Sequence, residues 1–201
     1  MNSIVKNILF WHPHKTENIS KQALSILLDR LVDTKLVDGA VLELGCHMGL
    51  TSVYIRRVLD RLKSKKEMHV YDSFEGLPEK KLEDTTATNA RFLNGSMSVN
   101  EEALIEKFKI EKLKVPIIHK GWFKDVDYPE RISFVFLDGD FYQSILDGLT
   151  KVVPHMSPGG IICIHDYKWD MLPGVEKACL KYFGDPSRVK EEFQGLGVVY
   201  F

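Results

Sequence analysis

Two apolar runs in the second half of the chain end in side chains that can bind a metal ion or take up a proton. Asp138 follows the run 134–137, and the pair His165-Asp166 follows the run 161–164. If both runs are neighbouring strands of a parallel sheet, their carboxyl ends meet at one edge and bring these groups together. Two carboxylates and an imidazole can neutralise a divalent cation and leave positions in its shell for substrate oxygens. The pattern therefore indicates a metal site or an acid–base site.

A glycine turn follows an apolar run near the start of the main pattern. Gly45 and Gly49 lie where such a run gives way to a helical pattern, so backbone amides can approach a ligand closely. Asp72 ends the next apolar run, 29 residues after Glu43, and its carboxylate can accept hydrogen bonds from both hydroxyls of a ribose. The alternatives are a tight turn without a ligand and, for Asp72, a cap of the segment 73–76. The interval is longer than the roughly 20 residues of NAD-dependent dehydrogenases, and the spacing is not G-x-G-x-x-G.

These groups need a framework that brings the ends of separate runs to one edge, and the rest of the sequence predicts one. Short apolar runs alternate with helical patterns from residue 40 onward, which is typical of a parallel sheet covered on both faces. We predict a doubly wound α/β fold with a mostly parallel, seven-stranded sheet. The strands are expected at 40–44, 68–71, 115–119, 133–137 and 160–165, the helices at 50–62, 99–108, 144–153 and 174–183, and a C-terminal antiparallel hairpin at 188–193 and 197–201.

The first 39 residues are predicted to form a helical segment ahead of this fold. Apolar residues recur at helical spacing between 17 and 37, after Thr16 as a candidate cap. Such a helix would cover a sheet edge or roof the ligand crevice. We therefore assign 1–39 to a helical segment or lid and 40–201 to the main domain.

Composition argues for a single domain whose function lies in a specific pocket. The 201 residues carry 27 Lys plus Arg against 28 Asp plus Glu, and this balance disfavours nucleic acid and anionic membranes as partners. No run of about 18 apolar residues occurs, so neither a membrane span nor a signal sequence is expected. Cys46, Cys163 and Cys179 are too scattered for a disulfide framework, and we expect a soluble cytoplasmic protein. Charged stretches such as 79–84 are predicted to be solvated faces.

Several strings of the sequence resemble the macrocin O-methyltransferase family. They are Glu43-Leu44-Gly45 followed by Gly49, Asp72-Ser73-Phe74-Glu75-Gly76-Leu77-Pro78, Gly121-Trp122-Phe123-Lys124-Asp125, Asp138-Gly139-Asp140 with Tyr142, and Pro158-Gly159-Gly160 ahead of the Asp166-Tyr167 pair. The resemblance covers roughly residues 40 to 185. The second and third strings are much more specific than any glycine loop.

The resemblance implies a metal-assisted sugar O-methyltransferase that uses S-adenosylmethionine and has a class I methyltransferase fold. It implies the glycine loop under the methionine part of the cofactor, Asp72 on the ribose, and the adenine between the Ser73-Phe74 side and the Gly121-Trp122 turn. The implied cofactor-binding residues are Glu43, Gly45, Gly49, Asp72, Ser73, Phe74, Gly121 and Trp122. By the same resemblance Asp138 is a metal ligand and the catalytic base, and His165 and Asp166 are the other ligands of Mg²⁺ or Mn²⁺. A sugar hydroxyl is nearly as poor an acid as water, whose pKa is about 15.7, and a bound metal ion lowers such a value.

The sequence departs from the family pattern at two positions. His165 stands where the family has Asp in an Asp-Asp-Tyr string, so it is a metal ligand, a general base of a metal-independent O-methyltransferase, or a structural residue. His47 stands where many methyltransferase loops have glycine. Asp140 is either a helix cap or a participant in the reaction. A non-catalytic cofactor-binding protein is the rival outside the enzymes, although binding alone requires neither Asp138 nor Asp166.

The acceptor is predicted only as a class. It is a sugar, either a small molecule or part of a glycan, and homo-oligomer formation stays open. Five aromatic residues are candidate walls for a sugar face or else plain core and rim residues: Phe10, Trp11, Tyr142, Tyr167 and Trp169.

Overall fold

The computed structural model describes residues 1–13, 18–86 and 92–201. Its centre is a seven-stranded sheet in the order β3-β2-β1-β4-β5-β7-β6, in which β7 runs antiparallel to both β5 and β6 and the other pairs are parallel. The predicted doubly wound sheet with its C-terminal antiparallel hairpin is confirmed. The strands are β1 (Ala40–Leu44), β2 (Met68–Asp72), β3 (Ile117–Lys120), β4 (Ile132–Leu137), β5 (Met156–Tyr167), β6 (Lys190–Phe193) and β7 (Gly195–Tyr200).

In the described ranges, six α-helices cover the two faces of the sheet. They are α1 (Ser3–Trp11), α2 (Lys21–Asp33), α3 (Leu50–Arg61), α4 (Glu101–Ile110), α5 (Tyr142–Val152) and α6 (Gly174–Phe183). Because successive strand residues face opposite sides, Val41 and Phe134 pack with the first four helices, whereas Leu42 and Val135 pack with α5 and α6. The central strands are buried on both faces, which explains their continuous apolar runs.

The N-terminal segment differs from its prediction. The structure has α1, which the sequence did not predict, and α2 begins after Ser20, whose hydroxyl accepts a hydrogen bond from the Ala23 amide at 3.1 Å. The predicted cap Thr16 lies outside the described residues, and the helix ends at Asp33, short of residue 37. The leucines of α2 are buried in the same cluster as Val41 of the central strand, so this helix covers a face of the sheet.

Two further expectations are corrected. The third strand begins at Ile117, whereas the run was predicted from 115, and β5 begins at Met156, ahead of the predicted residue 160. The stretch 79–84 was predicted to be a solvated face, which is wrong at its last residue. Asp84 is 1% exposed, because its carboxylate is bonded inside the molecule.

Two observations concern the predictions about membrane spans and disulfides. Within the described ranges, no helix has both the length and the apolar content that a bilayer crossing requires. Cys46, Cys163 and Cys179 are all buried free thiols.

Candidate active site

A cavity of about 250 Å³ opens at the carboxyl ends of the parallel strands. Its walls are built from the residues that follow β1 to β4 and from the end of β5, as expected for an open α/β sheet. Eight of the predicted site residues line it: Gly45, Asp72, Ser73, Gly121, Trp122, Asp138, His165 and Asp166. The predicted residues Glu43, Gly49 and Phe74 are not among the lining residues.

Asp138, His165 and Asp166 form one cluster in the cavity wall. The Nδ1 atom of His165 lies 3.0 Å from Oδ1 of Asp138 and 3.2 Å from Oδ2 of Asp166. A bulge in the β5–β7 pairing between His165 and Tyr167, with φ of 54° at Asp166, allows two consecutive residues to reach the same cavity. In a regular strand they would point to opposite faces.

The charges of His165 and Asp166 shift each other's pKa. Burial alone would lower the pKa of His165, but the carboxylates of Asp138 and Asp166 more than offset it and hold the pKa well above its usual value. Burial raises the pKa of Asp166, and the neighbouring imidazole opposes that shift. A protonated His165 therefore neutralises part of the negative charge of the two carboxylates.

The same three side chains are a fitting donor set for a divalent cation. One donor atom from each lies within 4.8 Å of the others, and the described ranges contain no other cluster of this kind. Carboxylate oxygens suit Mg²⁺ and Mn²⁺, and an imidazole nitrogen moves the preference toward Mn²⁺ and later transition metals.

Asp140 lines the cavity beside this cluster and does not cap α5. Burial, followed by the charges of Asp138 and Asp166, raises the pKa of Asp140 well above its usual value. The capping alternative is wrong, because the amide of Tyr142 at the start of the helix donates to Asp84 Oδ1 at 2.7 Å. Asp140 has a φ of 56°, in a tight turn that directs it into the cavity.

Asp72 organises the opposite side of the cavity. Its Oδ2 accepts from the His47 amide at 2.9 Å, and its Oδ1 accepts from the Phe74 amide at 2.8 Å. The carboxylate thus holds the glycine loop and the turn after β2 together, while it also lines the cavity. His47 has a φ of 47°, a left-handed conformation, and it lines the cavity as well.

The glycine loop and the Asp138 turn are in direct backbone contact. The amide of Gly45 donates to the Tyr71 carbonyl at 2.8 Å, and the amide of Asp138 donates to the Leu44 carbonyl at 2.8 Å. A Cβ atom at Gly45 would lie 1.9 Å from the backbone oxygen of Asp138. A side chain at this position would therefore force the two halves of the cavity apart.

Three predicted cofactor residues support the cavity from behind. Glu43 is 1% exposed and hydrogen bonded to the Ser52 hydroxyl, and burial raises its pKa well above the usual value. Gly49 has a φ of 75° and caps α3, and a Cβ atom there would meet the Leu104 side chain at 2.2 Å. Phe74 is buried in the core.

Aromatic side chains line two parts of the cavity. Trp122 and Phe123 follow β3, and Trp169 packs edge to face against Phe92 with ring centroids 6.2 Å apart. Of the five aromatic residues predicted as candidate walls, only Trp169 lines the cavity. Phe10 and Trp11 are largely exposed at the end of α1, and Tyr142 and Tyr167 lie outside the lining.

Sequence reasoning missed several lining residues. Asn18 comes from the segment before α2, and Met97 comes from the long connection after β2. Ser144 and Asp147 are three residues apart on α5, so they share a face of that helix. That spacing was a usable signal, but neither residue follows a strand.

A family model and curated relatives match this chain. A family model described as macrocin-O-methyltransferase (TylF) matches residues 20–197. An 8-demethyl-8-(2,3-dimethoxy-alpha-L-rhamnosyl)-tetracenomycin-C 4'-O-methyltransferase from Streptomyces olivaceus is 34% identical over 71% of this chain and 59% of its own length. A mycinamicin III 3''-O-methyltransferase from Micromonospora griseorubida is 28% identical over 77% of this chain and 65% of its own length. The chain thus spans less than two thirds of the length of these relatives.

Two solved structures have the same fold. The O-methyltransferase NovP superposes with a TM-score of 0.77 at 25% identity, over 90% of this chain and 80% of that protein. The calicheamicin methyltransferase CalS11 superposes with a TM-score of 0.72 at 16% identity, over 98% of this chain and 90% of that protein. The second likeness is one of fold alone.

Proposed function

Because this chain belongs to the macrocin O-methyltransferase family, we propose that it transfers the methyl group of S-adenosylmethionine to a hydroxyl oxygen of a sugar. The observation that carries the proposal is the Asp138–His165–Asp166 cluster, which shares one cavity with the glycine loop and Asp72. A protein that only binds the cofactor has no need to gather these charges in one wall. Methyl transfer to a poorly acidic hydroxyl does need a group that takes up its proton.

The glycine-loop side of the cavity would hold the methyl donor. The backbone turns sharply at Gly45, and the Asp72 carboxylate, fixed by two backbone amides, faces the cavity as a ribose acceptor. Trp122, beyond Gly121, offers an indole surface beside the adenine. Ser73 lies next to Asp72 in the same wall.

The cluster side would orient the acceptor and remove its proton. As the sugar oxygen attacks the methyl carbon, a new C–O bond forms, the C–S bond of the sulfonium breaks, and S-adenosylhomocysteine leaves. Asp138 takes the hydroxyl proton. Asp140 is a second candidate, because its carboxylate faces the same cavity and its raised pKa makes it a stronger base than an exposed carboxylate once it is ionised.

A divalent cation fits this arrangement, with Asp138, His165 and Asp166 as its ligands. When bound, such an ion lowers the pKa of the coordinated hydroxyl. Without an ion, the imidazolium of His165 supplies the positive charge between the two carboxylates. In the alternative of a metal-independent enzyme, His165 is the base, and the carboxylates of Asp138 and Asp166, which hold its pKa well above the usual value, would stabilise the imidazolium that forms when the ring takes up the hydroxyl proton.

The acceptor side has the character of a carbohydrate site. Trp169 and Phe92 offer an apolar aromatic wall, and Asp140, Ser144 and Asp147 offer polar groups for hydroxyls. The tetracenomycin relative is named for a rhamnosyl substrate, and the other relative is named for mycinamicin III. A deoxysugar glycoside is therefore the first acceptor to try.

The proposal is tested by incubating the protein with S-adenosylmethionine labelled in the methyl group and methyl α-L-rhamnoside. We expect labelled methyl rhamnoside and one S-adenosylhomocysteine for each methyl transferred. The Asp138→Asn variant serves as the inactive control, and a parallel reaction contains a chelator. Tight S-adenosylhomocysteine binding without transfer to any of a panel of methyl glycosides would favour the non-catalytic rival.

A further inference from the structure

The side chain of Asp84 joins three segments that build the cavity. It lies at the end of a short 3₁₀ turn, Leu82–Asp84, in the connection that follows β2, and it is 1% exposed. A carboxylate this deeply buried is costly unless its oxygens are hydrogen bonded. Both oxygens of Asp84 have backbone partners.

The first partner is the turn that carries the reacting carboxylates. Asp84 Oδ1 accepts from the Tyr142 amide at 2.7 Å, and Oδ2 accepts from the Lys81 amide of its own turn at 2.9 Å. Tyr142 is the first residue of α5, and Phe141 before it has no side chain that can cap the helix. Asp84 therefore caps α5 across 58 residues of sequence and fixes the end of the 138–141 turn.

The start of α6 packs directly against the Asp84 carboxylate. A Cβ atom at Gly174 would lie 1.8 Å from Asp84 Oδ1 and 2.8 Å from the Tyr142 amide nitrogen. The absence of a side chain at Gly174 leaves the space that the carboxylate occupies. The same helix sends Lys177 Nζ to the Glu83 carbonyl at 2.6 Å, which is a second tie to the Asp84 turn.

The three joined segments each contribute to the cavity wall. The connection after β2 contributes Leu77 and Pro78, the turn after β4 contributes Asp138 and Asp140, and the loop from β5 to α6 contributes Trp169. The Asp84 carboxylate also faces the amino-terminal ends of two helices, α5 and α6, whose partial positive charges stabilise it. The backbone amides that Asp84 accepts from belong to the start of α5 and to its own turn.

We propose that Asp84 is a positioning residue for the methyl transfer: through Tyr142 and Gly174 it sets where Asp138 and Asp140 lie against the acceptor wall. This inference rests on the proposed function. A displacement of about 1 Å at reacting groups can lower a rate by about 100-fold. Loss of the tie should thus affect the reacting side of the cavity and leave cofactor binding unchanged.

Two variants break the tie from opposite sides. Asp84→Asn presents an amide group to one of the two backbone N–H donors, and Gly174→Ala displaces the carboxylate without changing it. For both we expect kcat for methyl transfer to methyl α-L-rhamnoside to fall by about 10-fold to 100-fold. The calorimetric Kd of S-adenosylhomocysteine should stay within about twofold of wild type, because Asp72 and the glycine loop are untouched. The ¹⁵N signals of the His165 imidazole, recorded at one pH, should shift because Asp138 moves.

Asp185→Asn is the matched control. Asp185 caps another short 3₁₀ turn by accepting from the Ser187 amide at 2.8 Å, but it is exposed and is not one of the residues that line the cavity. This variant should alter neither kcat nor the His165 signals. It separates the loss of any cap from the loss of the Asp84 tie.

Unshifted His165 signals in a folded Asp84→Asn protein would overturn the proposal. So would a parallel loss of S-adenosylhomocysteine affinity, or failure of both variants to fold, since either would mark Asp84 as a general stability residue. If wild type does not methylate the rhamnoside, the acceptor assignment fails on its own. The imidazole signals and the cofactor affinity still decide the role of Asp84.

Discussion

At the scale of single residues, the cavity is organised by carboxylates with different partners. Asp72 is held by two backbone amides, Asp138 and Asp166 share one imidazole, and Asp140 faces the cavity. A carboxylate whose oxygens are fixed by backbone donors is suited to reading a ligand hydroxyl. A carboxylate whose charge is only partly neutralised is suited to taking up a proton.

Replacement of Asp72 should weaken cofactor binding. We expect Asp72→Ala to lose roughly 2 to 4 kcal/mol of S-adenosylhomocysteine binding, because a charged acceptor for the ribose hydroxyls is removed. Isothermal calorimetry measures the change, with Asp125→Ala, an exposed neighbour of the Trp122 turn, as the control. An unchanged affinity in a folded Asp72→Ala protein would remove this carboxylate from the cofactor site.

Replacement of Asp138 should abolish most of the transfer. Asp138→Asn keeps the shape of the side chain but not its charge, and we expect the rate to fall by about 100-fold or more while the cofactor still binds. Asp140→Asn, measured in the same assay, separates the two candidate bases. Full activity of Asp138→Asn together with an inactive Asp140→Asn would transfer the role of base to Asp140.

The identity of residue 165 should set the metal preference. After removal of metal with a chelator, we expect Mn²⁺ to restore more activity than Mg²⁺ in the wild type, because an imidazole ligand disfavours Mg²⁺. His165→Asp, which recreates the Asp-Asp pair of the family, should shift the preference toward Mg²⁺. Equal rescue of both proteins by Mg²⁺ would mean that His165 is not a ligand, and full activity in excess chelator would refute metal assistance.

At the scale of elements, the ends and irregularities of strands decide what the cavity contains. Only through the bulge at Asp166 do His165 and Asp166 reach one wall, and the left-handed residue Asp140 turns the chain into α5. The regular parts of β1, β4 and β5 supply a rigid base for these irregular ends. Function is concentrated where the regular hydrogen-bond pattern stops.

A pair of histidines joins β2 to the edge strand β3. His69 Nδ1 lies 2.9 Å from His119 Nε2, and the two rings stack in a group with Tyr71 and Tyr128. Burial lowers the pKa of His69 against the opposing charge of Glu67. Burial also lowers the pKa of His119, and His69 adds to that shift while Asp127 opposes it.

The folded protein should therefore lose stability as the pH falls and these two histidines become protonated. A lowered folded-state pKa means that the pair contributes its full stability above the unfolded value of 6.5 and loses it as the pH falls below that value. We expect the melting temperature of wild type to fall more between about pH 7.5 and about pH 5.5 than that of a His69→Gln/His119→Gln variant. An equal drop in melting temperature in the two proteins between these pH values would contradict this assignment.

The sequence was sufficient for the elements that repeat a pattern and insufficient for those fixed by distant contacts. Apolar runs predicted the central strands β1, β2, β4 and β5, because these strands are buried on both faces, and strand ends indicated Asp72, Asp138 and His165 as site residues. Asp84 could not be predicted, since its partner amide is 58 residues away and it ends a stretch, 79–84, in which most residues are charged. Helix α1 was missed because the apolar run 8–11 ends in Phe10 and Trp11, which are exposed, and so hides the helical spacing of the buried residues Val5, Ile8 and Leu9.

At the scale of the whole molecule, the cavity lies where the strand order reverses. The chain builds β1, β2 and β3 outward on one side of the sheet and β4 and β5 on the other, so adjacent β1 and β4 lead in opposite directions. The residues proposed to bind the cofactor follow the first group of strands, and those proposed to act on the acceptor follow the second. Under the proposed function, donor and acceptor would meet in one crevice at this point of the sheet.

The contact between Gly45 and the Asp138 carbonyl has a consequence for how this sequence can evolve. Any amino acid that replaces glycine at position 45 introduces a Cβ atom. That atom would lie 1.9 Å from the backbone oxygen of Asp138. Gly184, at the end of α6, also has a positive φ but has open space around it, so asparagine should be accepted there. In a saturation library selected for folded, cofactor-binding protein, we expect codon 45 to return glycine alone and codon 184 to return several residues. A viable variant at position 45 would mean that the two halves of the crevice can separate without loss of binding.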